Sequence, residues 1–309
     1  MVGRSEIKTA AAHIHGQVRD TPLLEPGAGF FDSAARIGLK LELLQHTGSF
    51  KPRGALHRAL TSAVPESGLI AASGGNHGLA VAWVADRLGV PGEIFVPEVS
   101  PPAKVDKIRK LGATVHVTGA LYDDALAACR LRQAETGALD IHAYDHTDTI
   151  AGAGTIALEI ERDVPNVDTV LVSLGGGGLA SGIAAWFAGT DTRVIVVEPE
   201  TSQCFAAAMA AGEPVDVTVA GIAADSLGAR RIGATNWTTL TSGDASSVTV
   251  PDQSIRDAQR RLWRHTQLVA EPGGATAAAA LWSGAYVPSS DESVAVIVCG
   301  ANCDPTSVL

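Results

Sequence analysis

Val167-Asp168-Thr169-Val170-Leu171-Val172-Ser173-Leu174 runs directly into Gly175-Gly176-Gly177-Gly178, and from there into Leu179-Ala180-Ser181-Gly182-Ile183-Ala184-Ala185-Trp186-Phe187-Ala188. An apolar run closed by glycines and followed by a second apolar stretch reads as a buried strand, a loop and a helix. Without a Cβ, each glycine lets backbone N–H groups come close to an anion at the helix N-terminus, where the dipole and the free donors favour a phosphate dianion. A loose turn is the competing reading, disfavoured because four glycines cost conformational order. The same punctuation recurs along the chain. Strands are expected at 69–72, 92–96, 113–117, 167–174, 193–198 and 294–299, with helices near 76–88, 101–111, 121–136, 153–162, 179–188, 253–266 and 273–285. Segments 215–224 and 284–291 read as extended or loop connections. This alternation predicts α/β layers of mostly parallel strands, with ligands at the strand carboxyl ends.

Three further segments carry chemistry, and each sits where such a loop would lie. Lys51 stands in Gly48-Ser49-Phe50-Lys51-Pro52-Arg53-Gly54-Ala55. A lysine desolvated beside Phe50 has a lowered pKa, and its neutral amine can form a Schiff base with an aldehyde cofactor, which points to pyridoxal 5'-phosphate. The plainer alternative makes Lys51 a helix-start residue, with Ser49 as cap and Pro52 in the first turn. In Ala71-Ala72-Ser73-Gly74-Gly75-Asn76-His77-Gly78, Asn76 can donate to a ring hydroxyl oxygen, while Ser73 and the amides near Gly74 and Gly75 can hold a substrate carboxylate. His77 belongs to the same loop, either as a structural hydrogen-bonder or as an acid or base. The strand expected at 294–298 ends in Cys299-Gly300-Ala301-Asn302, where Cys299 would face a ring nitrogen; a thiol is only a weak donor to it.

Composition narrows the class. A chain of 309 residues with 46% hydrophobic content can bury a large core in one or two domains. The start, Met1-Val2-Gly3-Arg4-Ser5-Glu6-Ile7-Lys8, carries no apolar signal region, and no charge-free stretch approaches the roughly 20 residues that span a bilayer, so neither export nor membrane insertion is expected. Cys129, Cys204, Cys299 and Cys303 show neither zinc-type spacing nor a disulfide framework, which fits reduced thiols in the cytoplasm. A formal net charge of −10 with no basic cluster argues against nucleic acid as a partner. Asp123 and Asp124 at a helix start, and Glu159 and Glu161 within another helix, read as solvated faces or helix-end charges.

Taken together, these motifs resemble the fold-type II pyridoxal-phosphate-dependent enzymes, and within them the serine/threonine dehydratases and their relative serine racemase, over nearly the whole chain. The resemblance implies a tryptophan synthase β-like fold of two three-layer α/β domains with mostly parallel sheets. The large cofactor-binding domain would comprise 1–69 and 148–309, and the small domain 70–147. It makes Lys51 the Schiff-base lysine and proton shuttle, Phe50 its neighbour at the ring, Asn76 the ring-hydroxyl contact, and Gly175, Gly176, Gly177 and Gly178 with Leu179 the phosphate loop. Cys299 falls at the end of the last core strand. Glu271, in Glu271-Pro272-Gly273-Gly274, either approaches the ring or amine or caps the following helix. The implied reaction is α,β-elimination of water from L-threonine or L-serine to a 2-oxo acid and ammonia, by a homodimer. Alternatives within the group are 3-hydroxyaspartate, another β-substituted amino acid, or racemisation. Because the resemblance ends with the catalytic region, feedback inhibition by isoleucine is not expected.

Departures limit what carries over. The racemase pattern places a second Ser, the opposite-face proton carrier, where this chain has Gly74. The family's divalent-cation site falls on Glu198, Ser202 and Cys204, and a thiol in place of the usual carboxylate argues against a metal there. Ser226 replaces a usual glycine and Ala153 a usual glutamine. Outside the family, Gly175-x-Gly177-x-x-Ala180 with Glu198 about 20 residues on also fits the dinucleotide fingerprint of an oxidoreductase. A non-catalytic binding protein on the same fold is the other rival.

Overall fold

Residues 2–27, 29–100 and 102–308 are described by a computed structural model. The first half contains α1 (Arg4–Ile14), β1 (Leu23–Leu24), β2 (Arg36–Lys40), α2 (Lys51–Leu60), β3 (Leu69–Ala72), α3 (Asn76–Leu88), β4 (Gly92–Val96), α4 (Pro102–Lys110), β5 (Thr114–Val117), α5 (Tyr122–Thr136), β6 (Leu139–Asp140) and α6 (Thr147–Asp163). The second half continues with β7 (Thr169–Ser173), α7 (Gly178–Phe187), β8 (Arg193–Pro199), α8 (Cys204–Ala211), α9 (Ala224–Leu227), α10 (Ala234–Ser242), β9 (Ser246–Val250), α11 (Asp252–Thr266), α12 (Pro272–Ser283) and β10 (Ser293–Ile297). Strands 69–72 and 92–96 and the helix at 76–88 have the bounds their sequence implied. Pro101, the expected first residue of α4, lies outside the described residues.

The strands form two sheets. The larger has the order β1-β2-β10-β7-β8-β9 and is parallel apart from the β1–β2 pair. The smaller, β5-β4-β3-β6, is parallel throughout and is drawn from one contiguous stretch; its β3 starts at Leu69, one residue before the expected domain boundary at 70. Parallel sheets need cover on both faces, which is why their strands read as unbroken apolar runs. Along β7, Val170 and Val172 enter one core cluster and Leu171 the opposite one. In the smaller sheet Leu69 and Ala71 divide from Ile70 and Ala72 in the same way.

Several elements were not expected from the sequence. Strand β2, Arg-Ile-Gly-Leu-Lys, is short and charged at both ends, and β9, Ser-Ser-Val-Thr-Val, is half polar, so neither stands out as an apolar run. Helix α6 starts at Thr147 rather than 153 and carries Gly152 inside it. A Cβ at Gly152 would lie 2.6 Å from Arg53 O, so the glycine is there to let α2 and α6 touch.

Glu159 and Glu161 part company. Glu161 pairs with Arg4 at the surface, whereas Glu159, read as a solvated charge, is buried. Arg53, only 1% exposed, donates to Glu42 Oε1 at 2.7 Å and to Glu159 Oε1 at 2.6 Å, and Lys40 Nζ lies 2.7 Å from Glu159 Oε2. The correction has a simple cause. Helical periodicity shows which face a residue occupies but not which partner waits across the interface. This buried ion cluster clamps α2 to α6 two residues after Lys51.

Candidate active site

The carboxyl ends of β3, β7 and β10 converge on a cleft of about 480 Å³. Lys51, Phe50, Asn76, Tyr144, Glu271, Cys299 and the 175–179 loop line it. Lys51 opens α2 and is tied to the end of β10. Phe50 N–H donates to Cys299 O at 3.1 Å and Ser49 bridges to Gly300. Ser49 does not cap this helix: the capping position is Phe50, and the Ser49 hydroxyl is buried without a partner among the described residues. Lys51 Nζ donates to Ala143 O at 2.7 Å and sits 5.0 Å from the centre of the Phe50 ring. Burial lowers its pKa to about 8, against the pull of Cys299 and Glu271. The drop raises the neutral fraction at pH 7 by roughly 300-fold over an ordinary lysine.

The glycine loop has the geometry of an anion cradle. Gly177 has φ +103°, a backbone conformation that L side chains rarely adopt, and a Cβ at Gly176 would meet the Tyr144 ring at 2.3 Å. The loop carbonyls are held by the protein. Gly175 O accepts from Cys204 Sγ at 3.2 Å, Gly176 O from Asn236 Nδ2 at 2.9 Å, and Gly177 O from Ser181 N–H at 2.8 Å. Among the described residues, the N–H groups of Gly175 through Leu179 donate to no protein acceptor, so five amides at the start of α7 remain for an anion.

Asn76 and Glu271 meet across the cleft. Asn76 Nδ2 donates to Glu271 Oε1 at 2.5 Å, and Asn76 Oδ1 accepts from Asn302 Nδ2 at 2.7 Å. The backbone of Glu271 occupies the cap position of α12, but its carboxylate caps nothing and faces the cleft. Burial raises the Glu271 pKa, opposed by Asn76 and by Lys104. Cys299 Sγ is a weak donor to Gly273 O at 3.5 Å, and burial pushes its pKa to about 12, so it stays a thiol.

The 73–77 loop divides. Ser73 Oγ accepts from Gly75 N–H at 3.2 Å, and the space of a Gly74 side chain is taken by Ser100 Oγ, 2.4 Å from the would-be Cβ. His77 was expected with the substrate-binding residues, but its side chain is buried and turned to Ile141 O, to which Nε2 donates at 2.6 Å. Desolvation holds its pKa near 3, with Lys51 adding to the drop, so the ring is neutral and structural; only its backbone N–H at the start of α3 is left for a ligand.

Glu198 is fully buried and accepts from Phe205 and Ala206 N–H, both at 2.8 Å, at the start of α8. A carboxylate spent this way cannot grip a ribose hydroxyl, which removes the dinucleotide reading. Ser202 Oγ donates to Leu227 O at 2.9 Å, and Cys204 holds Gly175. Ser226 lines the cleft and accepts from Gly273 N–H at 3.1 Å, while Ala153 is buried in α6. Sequence reasoning missed Tyr144, Ala143 and Asn236. Ala143 acts through its carbonyl, which leaves no side-chain signal, and the other two sit outside any motif.

Residues 14–300 match the model of a family described as pyridoxal-phosphate dependent enzyme. The chain belongs to that family. A free anion cradle and a lysine amine of lowered pKa in one cleft suit pyridoxal phosphate, which presents a dianion and an aldehyde. The chain is 36% identical over 307 residues to an L-threonine ammonia-lyase of Geobacter sulfurreducens, covering 98% of this chain and 76% of that one. It is 31% identical to a serine racemase of Oryza sativa, with 96% and 90% covered. Among solved structures, maize serine racemase superposes with a TM-score of 0.93 at 29% identity, covering 98% of this chain and 94% of that one. These pyridoxal-phosphate relatives span lyase and racemase names, so the cleft has to separate the two.

Proposed function

We propose that this enzyme is an ammonia-lyase that eliminates water from L-threonine or L-serine, giving a 2-oxo acid and ammonia. The reading is carried by Lys51, whose pKa is lowered, together with Gly74, which has no side chain where the racemase pattern places its proton-carrying Ser. Racemisation needs a proton delivered to the opposite face, while elimination needs one base at the α-carbon. The similarity to threonine ammonia-lyases over nearly the full chain supports the same choice.

When bound, pyridoxal phosphate supplies an aldehyde for the amine and an electron sink for the α-carbon charge. The protein's own groups do the rest. Free amides of Gly175 through Leu179 hold the phosphate, with Tyr144 filling the space above Gly176. Asn76, fixed between Glu271 and Asn302, presents its amide to the ring hydroxyl. Cys299, held as a thiol, leaves the ring nitrogen without a formal charge partner. Ser73 and the amides of Gly74 and His77, at the head of α3, would receive the substrate carboxylate, the Gly75 N–H being given to Ser73 Oγ. Lys51 would take the α-proton, and the β-hydroxyl would take up a proton as its carbon–oxygen bond breaks and leave as water.

We further propose the division into a large domain (1–69 with 148–309) and a small one (70–147), supported by the two sheets, and a homodimer in the cytoplasm, supported for the compartment by four free cysteines. The deciding experiment is the visible spectrum of the purified enzyme before and after borohydride, followed by L-threonine, L-serine, 3-hydroxyaspartate and D-serine with 2-oxo acid release recorded. Oxo acid from threonine or serine is expected. Release from 3-hydroxyaspartate alone, or D/L interconversion without oxo acid, would replace the proposal with the corresponding relative's reaction.

A further inference from the structure

The turn between β6 and α6 carries several fixtures of the cleft. Ala143 O accepts from Lys51 Nζ at 2.7 Å. Tyr144 lines the cleft, and its carbonyl accepts at 3.1 Å from Asn236 Nδ2, the same amide that holds Gly176 O. The Asp145 carboxylate accepts from Ala234 and Thr235 N–H, both at 3.0 Å, in the first turn of α10. One ring nitrogen organises the turn: His142 Nδ1 accepts from Asp145 N–H at 2.8 Å and from Tyr144 N–H at 3.3 Å. Both partners are donors, so Nδ1 carries the lone pair and the proton sits on Nε2.

We infer that His142, in this neutral tautomer, is a positioning residue that holds the Lys51 amine and the glycine cradle in the mutual placement that the cofactor requires. Protonation of Nδ1 removes both hydrogen bonds together and sets one N–H against two others, so the turn has to open. The charged and titratable groups around the ring are Asp140 on β6, Tyr144 and Asp145 in the turn, the Tyr144 ring lying edge-on with its centre 4.9 Å away, Lys51 on α2 and Arg130 on α5, with His77 and His146 beyond them. Desolvation lowers the His142 pKa; Asp140 and Asp145 oppose that shift, and Lys51 and Arg130 reinforce it. The organising form is thus the one present at neutral pH, and acid is what threatens it.

The inference rests on Lys51 as the cofactor-bearing amine. Two variants separate the roles of the ring: His142→Asn keeps an acceptor oxygen near the Nδ1 position without a titratable group, and His142→Ala removes it. Holoenzyme of each is dialysed at steps from about pH 8 to about pH 5.5, bound pyridoxal phosphate is read from its visible absorbance, and circular dichroism checks the fold. At pH 7.5 the Ala variant should bind cofactor about tenfold more weakly than wild type and the Asn variant within about threefold, the loss expected for two hydrogen bonds. Wild type should also shed cofactor more steeply in acid than the Asn variant. An Ala variant as tight as wild type, an Asn variant as weak as Ala, or an Asn variant with the wild-type acid loss would overturn the inference. If the Ala variant does not fold, the Asn pH profile decides alone. Because binding is measured rather than turnover, failure of the proposed reaction leaves this result readable, whereas a wild type without a borohydride-reducible band would overturn both assignments.

Discussion

Replacing Lys51 with Met in cofactor-free protein should stabilise it at neutral pH, although it abolishes activity. The cause is the desolvated ammonium. Its pKa falls from 10.5 in the unfolded chain to about 8 in the cleft. At roughly 1.4 kcal/mol per pH unit this is about 3 kcal/mol, reduced to about 2 because the side chain keeps some contact with solvent. Met has a similar length and carries no charge, but it leaves Ala143 O without its donor, at a cost of about 1 kcal/mol. The net gain is then about 1 kcal/mol at pH 7. The sign follows from linkage. The folded pKa of this base lies below the unfolded one, so the penalty on wild type is fully present below about pH 8 and is relieved as pH rises to 10.5. Urea midpoints of both apo-proteins, taken between pH 6 and pH 10.5, read this directly. The Met advantage should shrink across the upper part of that range and reverse at its end. A constant difference between the two, or a wild type favoured at pH 7, would show that Lys51 is not desolvated and would remove the physical basis of its reactivity.

Two more outcomes follow from close contacts. Gly176→Ala should loosen cofactor binding at least about tenfold, because the new methyl overlaps the Tyr144 ring, and Tyr144→Ala in the same chain should recover part of the loss; equilibrium dialysis of single and double variants checks it. Arg53→Leu should cost about 3–5 kcal/mol in urea unfolding by stranding Glu42, since Glu159 keeps Lys40, and the double change Arg53→Leu with Glu42→Gln should return most of it. An Arg53→Leu variant within about 1 kcal/mol of wild type would mean that the cluster is not a clamp.

The parts of the cleft that were legible in the sequence are contiguous with a strand end. Lys51, the glycine run, Asn76 and Cys299 announce themselves because turn residues flank them at short range, and the cleft gathers all four. His77 shares that loop and misled for the same reason, since adjacency along the chain does not say which way a ring turns. Glu271 stayed open between two roles until the distance to Asn76 settled which way its carboxylate faces. Ala143, Tyr144, Asn236 and His142 act by carbonyls, by packing or by a lone pair on an unremarkable ring, and nothing local marks them. Glu159 looked solvated because its partner Arg53 comes from a distant helix, and such pairings across the fold set the limit of reading a chain one segment at a time.

Strand β10 sits inside the larger sheet, with β2 on one side and β7 on the other, and its Ser293 faces Arg36 from near the opposite end of the chain. During synthesis, then, β2 emerges early and has to wait with one edge unpaired until residue 297 has left the ribosome, whereas the four-stranded sheet can close as soon as residue 140 is out. The interval leaves an open strand edge and apolar surface exposed to other chains, so aggregation during expression should track translation of the stretch between residues 140 and 297 more closely than the stability of the folded protein. Lys51, whose neighbours Ser49 and Phe50 bridge to the segment that follows β10, acquires its surroundings only when that segment docks.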